Sequence, residues 1–288
     1  MTHSRRDIVE LLERHGLSPR RAFGQNFVAD PNTVRRIARM AAGNGDGRHD
    51  LASTHVVEIG PGLGSLTLAL AETGARITAI EIDHGIVPVL RQVIADAHVD
   101  VRVIEGDARE VDWGDIIEPG TTATVVANLP YNVATPLVAD LLDTVPAIGR
   151  FVVMVQKEVA QRLAAQPGSA EYGAISVKVA YWGSARILGD VPPSVFVPRP
   201  KVTSSIIEIT RSAQPAVGAH MGLDITPQQL FTVVRTAFGQ RRKMLRRSLA
   251  AVADAEVFSR ADIDPELRPE QLDVHQWGRL AHAITTAH

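Results

Sequence analysis

The stretch that most constrains this chain is Val56-Val57-Glu58-Ile59-Gly60-Pro61-Gly62-Leu63-Gly64-Ser65-Leu66-Thr67. A β-branched apolar run enters a turn with three glycines, and a helical pattern (Leu66, Leu68, Ala69, Leu70) leaves it. That order predicts a buried strand, a tight loop and a helix. Glycine suits such a loop because it accepts positive φ and lets a ligand reach the backbone. A second strand is predicted at Arg76-Ile77-Thr78-Ala79-Ile80, ending in Glu81-Ile82-Asp83. Glu81 lies about 20 residues beyond the first glycine, where a nucleotide-binding α/β unit places the carboxylate that accepts from ribose hydroxyls. The alternative is a structural strand-to-helix turn with no ligand.

The glycine spacing narrows the choice of ligand. A dinucleotide fingerprint reads G-x-G-x-x-G, whereas this loop reads G-x-G-x-G with a proline inside. It resembles the S-adenosylmethionine (SAM) loop of class I methyltransferases more than an NAD loop.

Further strands are predicted at Val101–Ile104, Ala123–Ala127 and Phe151–Val155, with two more near Ala185–Leu188 and Ser204–Ile209. Helices are expected between them, including one from Pro31 to Met40 capped by Asp30 and one over His84–Ala97 with Pro88 in its first turn. Strands alternating with helices imply a mainly parallel sheet. Gly43–Asp50 is a polar, glycine-rich loop, and Ser212–Gly222 has the composition of a linker. Helical patterns follow over Pro227–Phe238, Arg242–Val252 and Pro269–Ile284. The expected division is a catalytic domain over residues 1–212, whose first 50 residues form a helical lid segment, and a helical domain over 213–288.

Composition excludes several classes. There are no cysteines, so disulfides, thiolate nucleophiles and cysteine-ligated metals are ruled out. The ten histidines show no ligand spacing, and no metal is expected. No apolar run reaches the ~18 residues of a membrane span, and no signal peptide is visible; a cytoplasmic monomer with no membrane partner is expected. The net charge of −2 means that any nucleic-acid contact needs locally concentrated cations.

Three segments carry candidate chemistry. Asp107 follows the third strand, where open α/β sheets bind ligands; it suits an adenine amino group, or it caps its own turn. Asn128-Leu129-Pro130-Tyr131 follows the fourth strand directly. An exocyclic amine is a poor nucleophile because its lone pair is delocalised into the ring. The Asn128 side-chain oxygen and the Leu129 carbonyl suit acceptance from such an amine, which localises the lone pair, while Tyr131 suits stacking on the base. No strong general base is required, and rate comes from alignment. The third segment is cationic. Phe196 sits among prolines that stiffen its loop and hold it out toward a base, with Arg199 and Lys201 beside it for phosphates; a core phenylalanine is the structural reading. Arg241-Arg242-Lys243-Met244-Leu245-Arg246-Arg247 puts five cations on a helical pattern, a face for a phosphate backbone or a solvated surface.

Taken together, the motifs resemble those of the ribosomal RNA adenine-N6,N6-dimethyltransferases of the small-subunit type. The segments are Phe23–Phe27, Glu58–Gly64, Glu81–Asp83, Glu105–Ala108, Asn128–Asn132, Gln156–Ala160, Phe196–Val202, Arg241–Arg246 and Arg268–Leu272. The resemblance implies an α/β class I SAM-dependent methyltransferase fold, with a Rossmann-like seven-stranded sheet and a small all-α C-terminal domain. It implies SAM held by Asn26, the backbone at Val28, Gly60, Glu81, Asp107 and Asn128. It implies RNA contacts through Phe196, Arg199, Lys201, Arg241, Arg242, Lys243 and Arg246. The implied reaction is dimethylation of two adjacent adenosines in the 3′-terminal hairpin loop of 16S rRNA on the immature small subunit. The alternatives are a 23S rRNA adenine-N6 methyltransferase of the macrolide-resistance type, an assembly factor whose binding outweighs its catalysis, and a small-molecule amine methyltransferase. The last leaves the basic run unexplained.

Overall fold

The computed structural model describes residues 2–20, 24–43, 54–130 and 133–287. Most of the predicted Gly43–Asp50 loop, together with Phe23, Tyr131 and Asn132, lies outside the described residues. The chain forms two compact units, Met1–Ala160 with Arg186–Thr210, and Gln161–Ala185 with Arg211–His288.

The strands are β1 (Phe27–Val28), β2 (His55–Ile59), β3 (Arg76–Glu81), β4 (Val101–Glu105), β5 (Ala123–Asn128), β6 (Ile148–Gln156), β7 (Gly183–Val191), β8 (Phe196–Val197) and β9 (Ser204–Arg211). The helices are α1 (Arg5–Arg14), α2 (Pro31–Ala42), α3 (Ser65–Ala71), α4 (Val87–Asp96), α5 (Ala134–Thr144), α6 (Lys157–Leu163), α7 (Ala174–Trp182), α8 (Pro227–Phe238), α9 (Leu245–Ser248), α10 (Ala255–Ala261) and α11 (Val274–Thr285). Seven strands form one sheet in the order β4-β3-β2-β5-β6-β9-β7. The five strands from β4 to β6 are parallel, and β9 pairs antiparallel with β6. The chain runs outward from β2 to β4 and then crosses back to β5. That reversal beside β2 is the switch point at which open α/β sheets bind ligands.

The register brings the site together. Ile59 is level with Ile80 and Ala127, and Glu81 with Glu105. Gly60, Glu81, Asp107 and Asn128 therefore leave the sheet at its carboxyl edge. Alternate residues of the strands, among them Val56, Ile77, Val126, Val152 and Ile206, share one core with Val34, Ile37 and Ala41 of α2 and Leu66 and Leu70 of α3. The helix predicted from Asp30-Pro31 forms as read: the Asp30 carboxylate accepts from Thr33 N–H and Pro31 starts the helix. Its other end is held by Arg150, which donates to the carbonyls of Met40, Ala41 and Gly43 while pairing with buried Glu208.

Four sequence expectations need correction. Residues 161–185 pack with the helical unit, because Tyr172, Val177 and Tyr181 join the core built by α8 and α11. The presumed linker is not loose: Val217 is fully buried and touches Gly278 so closely that no side chain fits there. The helix expected over Arg242–Val252 shrinks to α9, and Arg241–Lys243 lie in the turn before it. The helix expected from Pro269 breaks at Asp273, whose carboxylate accepts from Gln276 N–H and starts α11 afresh.

Candidate cofactor and substrate site

A pocket opens at the carboxyl edge of β2, β3 and β5. It is lined by Gly24–Val28, Glu58, Gly60–Leu63, Ser65, Leu66, Glu81, Ile82 and Asn128–Pro130. Of the sequence-predicted residues it gathers Asn26, Val28, Gly60, Glu81, Asn128 and Leu129.

The glycine loop forms its floor. Gly60, Gly62 and Gly64 all take positive φ (68°, 55° and 84°). Gly62 has a second reason to be glycine, since a Cβ there would lie 2.9 Å from Phe27 Cε1. At Gly60 a Cβ would meet nothing within 4 Å, so that backbone faces open space.

Glu81 is buried, and it braces the loop as well as facing the pocket. Its Oε2 accepts from Gly62 N–H and its Oε1 from Asp83 N–H, both at 2.9 Å. Burial raises its pKa, against the lowering effect of those two backbone bonds. Glu58, on neighbouring β2, is also buried and accepts from Thr67 Oγ1 at 2.6 Å. Burial, with Glu81 nearby, pushes its pKa up to about 8. The Ser65 hydroxyl is buried with no hydrogen-bond partner among the described residues.

Asn128 stands at the end of β5. Its Nδ2 donates to the carbonyl of Asn26 at 2.8 Å, which commits the nitrogen and leaves the oxygen as the atom able to accept. The Asn26 side chain donates to Gly24 O, so Asn26 reaches Asn128 through its backbone. Leu129 is buried and its N–H is used by Met154 O at 3.0 Å.

Other predicted residues lie elsewhere. Asp107 does not line this pocket; its Oδ1 accepts from Arg109 N–H, the turn-capping role, and it borders a neighbouring hollow with Trp113 and Asp140. Tyr131 falls outside the described residues. Phe196 is not held out from its loop. It is 1% exposed, packed with Val28 and Val34 in the core, and its strand β8 pairs with β1. The β1–β8 pairing turns the ring inward, against the expectation that the prolines hold it out. Arg199 and Lys201 on the same loop are exposed.

A family model described as Ribosomal RNA adenine dimethylase matches residues 16–286. The chain belongs to the ribosomal RNA adenine dimethylase family. A family relative from Bifidobacterium longum (strain DJO10A), named Ribosomal RNA small subunit methyltransferase A, is 45% identical across 96% of this chain and 92% of its own. Among solved structures, a dimethyladenosine transferase from Plasmodium falciparum aligns at TM-score 0.70 and 22% identity, covering 87% of this chain and 94% of that one. A 23S rRNA methyltransferase aligns at TM-score 0.66 and 23% identity, covering 90% and 99%. Both support the fold, a seven-stranded class I methyltransferase sheet. Members of this family use SAM, and the pocket suits it: buried Glu81 faces a site for a cofactor with a ribose diol, and the Ser65 hydroxyl has no protein partner among the described residues.

In the helical unit the basic run divides by function. Arg241 donates to the carbonyl of Ala170 at 2.6 Å and faces Glu270 at 3.7 Å, so it serves the unit's own packing. Arg246 pairs with Glu266 at the surface. Arg242, Lys243 and Arg247 are exposed. Among the described residues no helix is long and apolar enough to cross a membrane, and no cluster of metal-ligating side chains occurs. Among the polar pocket residues, Glu58 and Ser65 were given no role by the sequence reading, whereas Gln25 falls in the segment expected as a lid. An acid inside the apolar run Val56–Ile59 was the available signal for Glu58; Ser65 gave none.

Proposed function

We propose that this protein transfers methyl groups from SAM to N6 of two adjacent adenosines in the 3′-terminal hairpin loop of 16S rRNA, on the immature small subunit. Family membership across nearly the whole chain supports the reaction class. The single observation that carries the chemistry is the Asn128 amide, anchored through its nitrogen so that its oxygen is the available acceptor beside the glycine loop.

SAM supplies an electrophilic methyl group and carries the positive charge. The chain supplies position. Gly60 offers close approach to its backbone, Glu81 faces the ribose hydroxyls, and Asn26 and Val28 close the near wall. Asp107, which borders the neighbouring hollow and caps its turn through Oδ1, would reach the adenine amino group only if the cofactor extends past the described pocket. The Asn128 oxygen and the Leu129 carbonyl accept from the target N6 amine, which turns its lone pair out of conjugation and into line. Tyr131, two residues beyond Leu129, has the ring suited to stacking on the base. Bases of an RNA loop are already unpaired, so bringing one to the pocket costs little. Arg199, Lys201, Arg242, Lys243 and Arg247 meet phosphates without reading sequence; Arg241 does not belong with them.

The test is methyl transfer from labelled SAM to small subunits lacking the modification, with naked 16S rRNA and large subunits alongside. N6,N6-dimethyladenosine in the small subunits is the expected product. Label confined to large-subunit RNA would reassign the target. Label nowhere, with SAM bound, would leave a binding factor.

A further inference from the structure

We propose that Asp83 is a positioning residue for methyl transfer, clamping the N-terminal segment across the pocket so that Asn26 can fix the Asn128 amide. The proposal deepens the reading of this pocket as the SAM and adenine site and rests on it.

Asp83 is 2% exposed, an unusual place for a carboxylate that touches no ligand. Its oxygens are fully engaged. Oδ2 accepts from Gln25 Nε2 at 2.8 Å, and Oδ1 from Arg20 Nη1 at 3.1 Å and Gly85 N–H at 3.0 Å. Gln25 returns the contact by accepting Arg20 N–H at 2.8 Å through Oε1. The Asp83 N–H donates to Glu81 Oε1. One peptide beyond Gln25 is the Asn26 carbonyl that holds Asn128 Nδ2. A continuous path therefore runs from Glu81 through Asp83 and Gln25 to Asn128, with one covalent step in it.

The consequence is chemical. A primary amide turned by half a rotation presents N–H instead of oxygen, and N–H facing an amine donor repels it. Within the described residues the Asn26 carbonyl is the group that tells the two orientations of Asn128 apart. Its position depends on Gln25, and Gln25 is pinned by a buried charge. A carboxylate accepts on both oxygens, and more strongly for its charge, where the corresponding amide accepts on only one.

The test is the exchange of donor and acceptor. In D83N the substituted side chain keeps an oxygen for Gly85 N–H, so the start of α4 survives, but it turns a nitrogen toward Gln25 Nε2. D83N/Q25E restores a donor–acceptor pair with the polarity reversed and the charge conserved. Each variant is read by kcat and KM for methyl transfer, SAM affinity by calorimetry, melting temperature, and hydrogen exchange over residues 24–28. We expect D83N to lose about tenfold or more in kcat, with SAM affinity changed much less and faster exchange over 24–28; the exchanged pair should regain most of both. Q25A, altered from the more exposed side, should repeat the loss in kcat without threatening the fold. D83N and Q25A with parental kcat and exchange would overturn the proposal, as would an exchanged pair no better than D83N. If the parent protein itself transfers no methyl group, the functional reading fails, and exchange over 24–28 still decides the clamp.

Discussion

Glu58 offers the sharpest physical test of the pocket. The carboxyl is 1% exposed, has the Thr67 hydroxyl as its partner, and titrates at about 8 instead of its ordinary 4.5, chiefly through burial. Between those values the native state holds a proton that the unfolded chain has released. The stability contributed here is thus complete below about pH 4.5 and declines as the pH rises through about 8. At about 1.4 kcal/mol per pH unit, the decline approaches about 5 kcal/mol. Glu58→Gln keeps an oxygen for Thr67 and carries no charge, so it escapes the decline. The variant should match the parent within about 1 kcal/mol at pH 5. At pH 9 it should be the more stable, with a melting temperature higher by about 10 °C on a scale of 2–4 °C per kcal/mol. Calorimetric melts of both proteins without SAM at pH 5, 7 and 9 give the answer. Other titrating groups cancel in the difference between them. A difference independent of pH, or a less stable variant at pH 9, would refute the reasoning.

Three further outcomes can be checked, two at this pocket and one on the helical unit. Asn128→Ala should lose about a hundredfold or more in turnover while calorimetry finds SAM affinity within a few-fold of the parent; full activity would remove Asn128 from its role. Gly62→Ala places a side chain at φ 55°, which costs about 1–2 kcal/mol, and drives its Cβ against the Phe27 ring. SAM binding should weaken about tenfold, with partial recovery when Phe27→Leu is added, and an unchanged Kd would show that the turn tolerates a side chain. Arg242→Glu with Lys243→Glu should weaken small-subunit binding and flatten its dependence on salt, by about two in the log–log slope, with SAM affinity untouched; equal salt slopes would place the RNA elsewhere.

The central sheet was legible because parallel strands buried on both faces read as unbroken apolar runs, as Val56–Ile59 and Ala123–Ala127 do. Glu81 and Asn128 were legible because each follows such a run directly. What escaped depends on partners distant in the chain. Strands β1 and β8 have two residues each, too few for any period to register, and their pairing is what buries Phe196. Asn26 acts on Asn128 through its carbonyl, an atom every residue carries. Asp83 was visible as a motif residue, but its role waits on Arg20 and Gln25. Tyr172, Val177 and Tyr181 are apolar enough for either unit, and composition does not say which core they fill. Arg241 has the charge of an RNA contact, yet its hydrogen bonds go to the carbonyls of Ser169 and Ala170, far away in the chain.

The small β1–β8 ladder also sets a timetable. Phe27 is synthesised before any strand of the central sheet, and its partner Val197 emerges only after the five parallel strands are complete. At about 5–20 residues per second the interval is on the order of 10 seconds. During it the glycine loop, Glu58 and Glu81 can be in place while the wall that bears Asn26 and Val28 has nothing to pair with. The growing chain therefore passes through a stage with its five parallel strands made and a half-built pocket. Its grip on the methyl donor is acquired late, when a segment from the far end of the unit reaches back to its beginning.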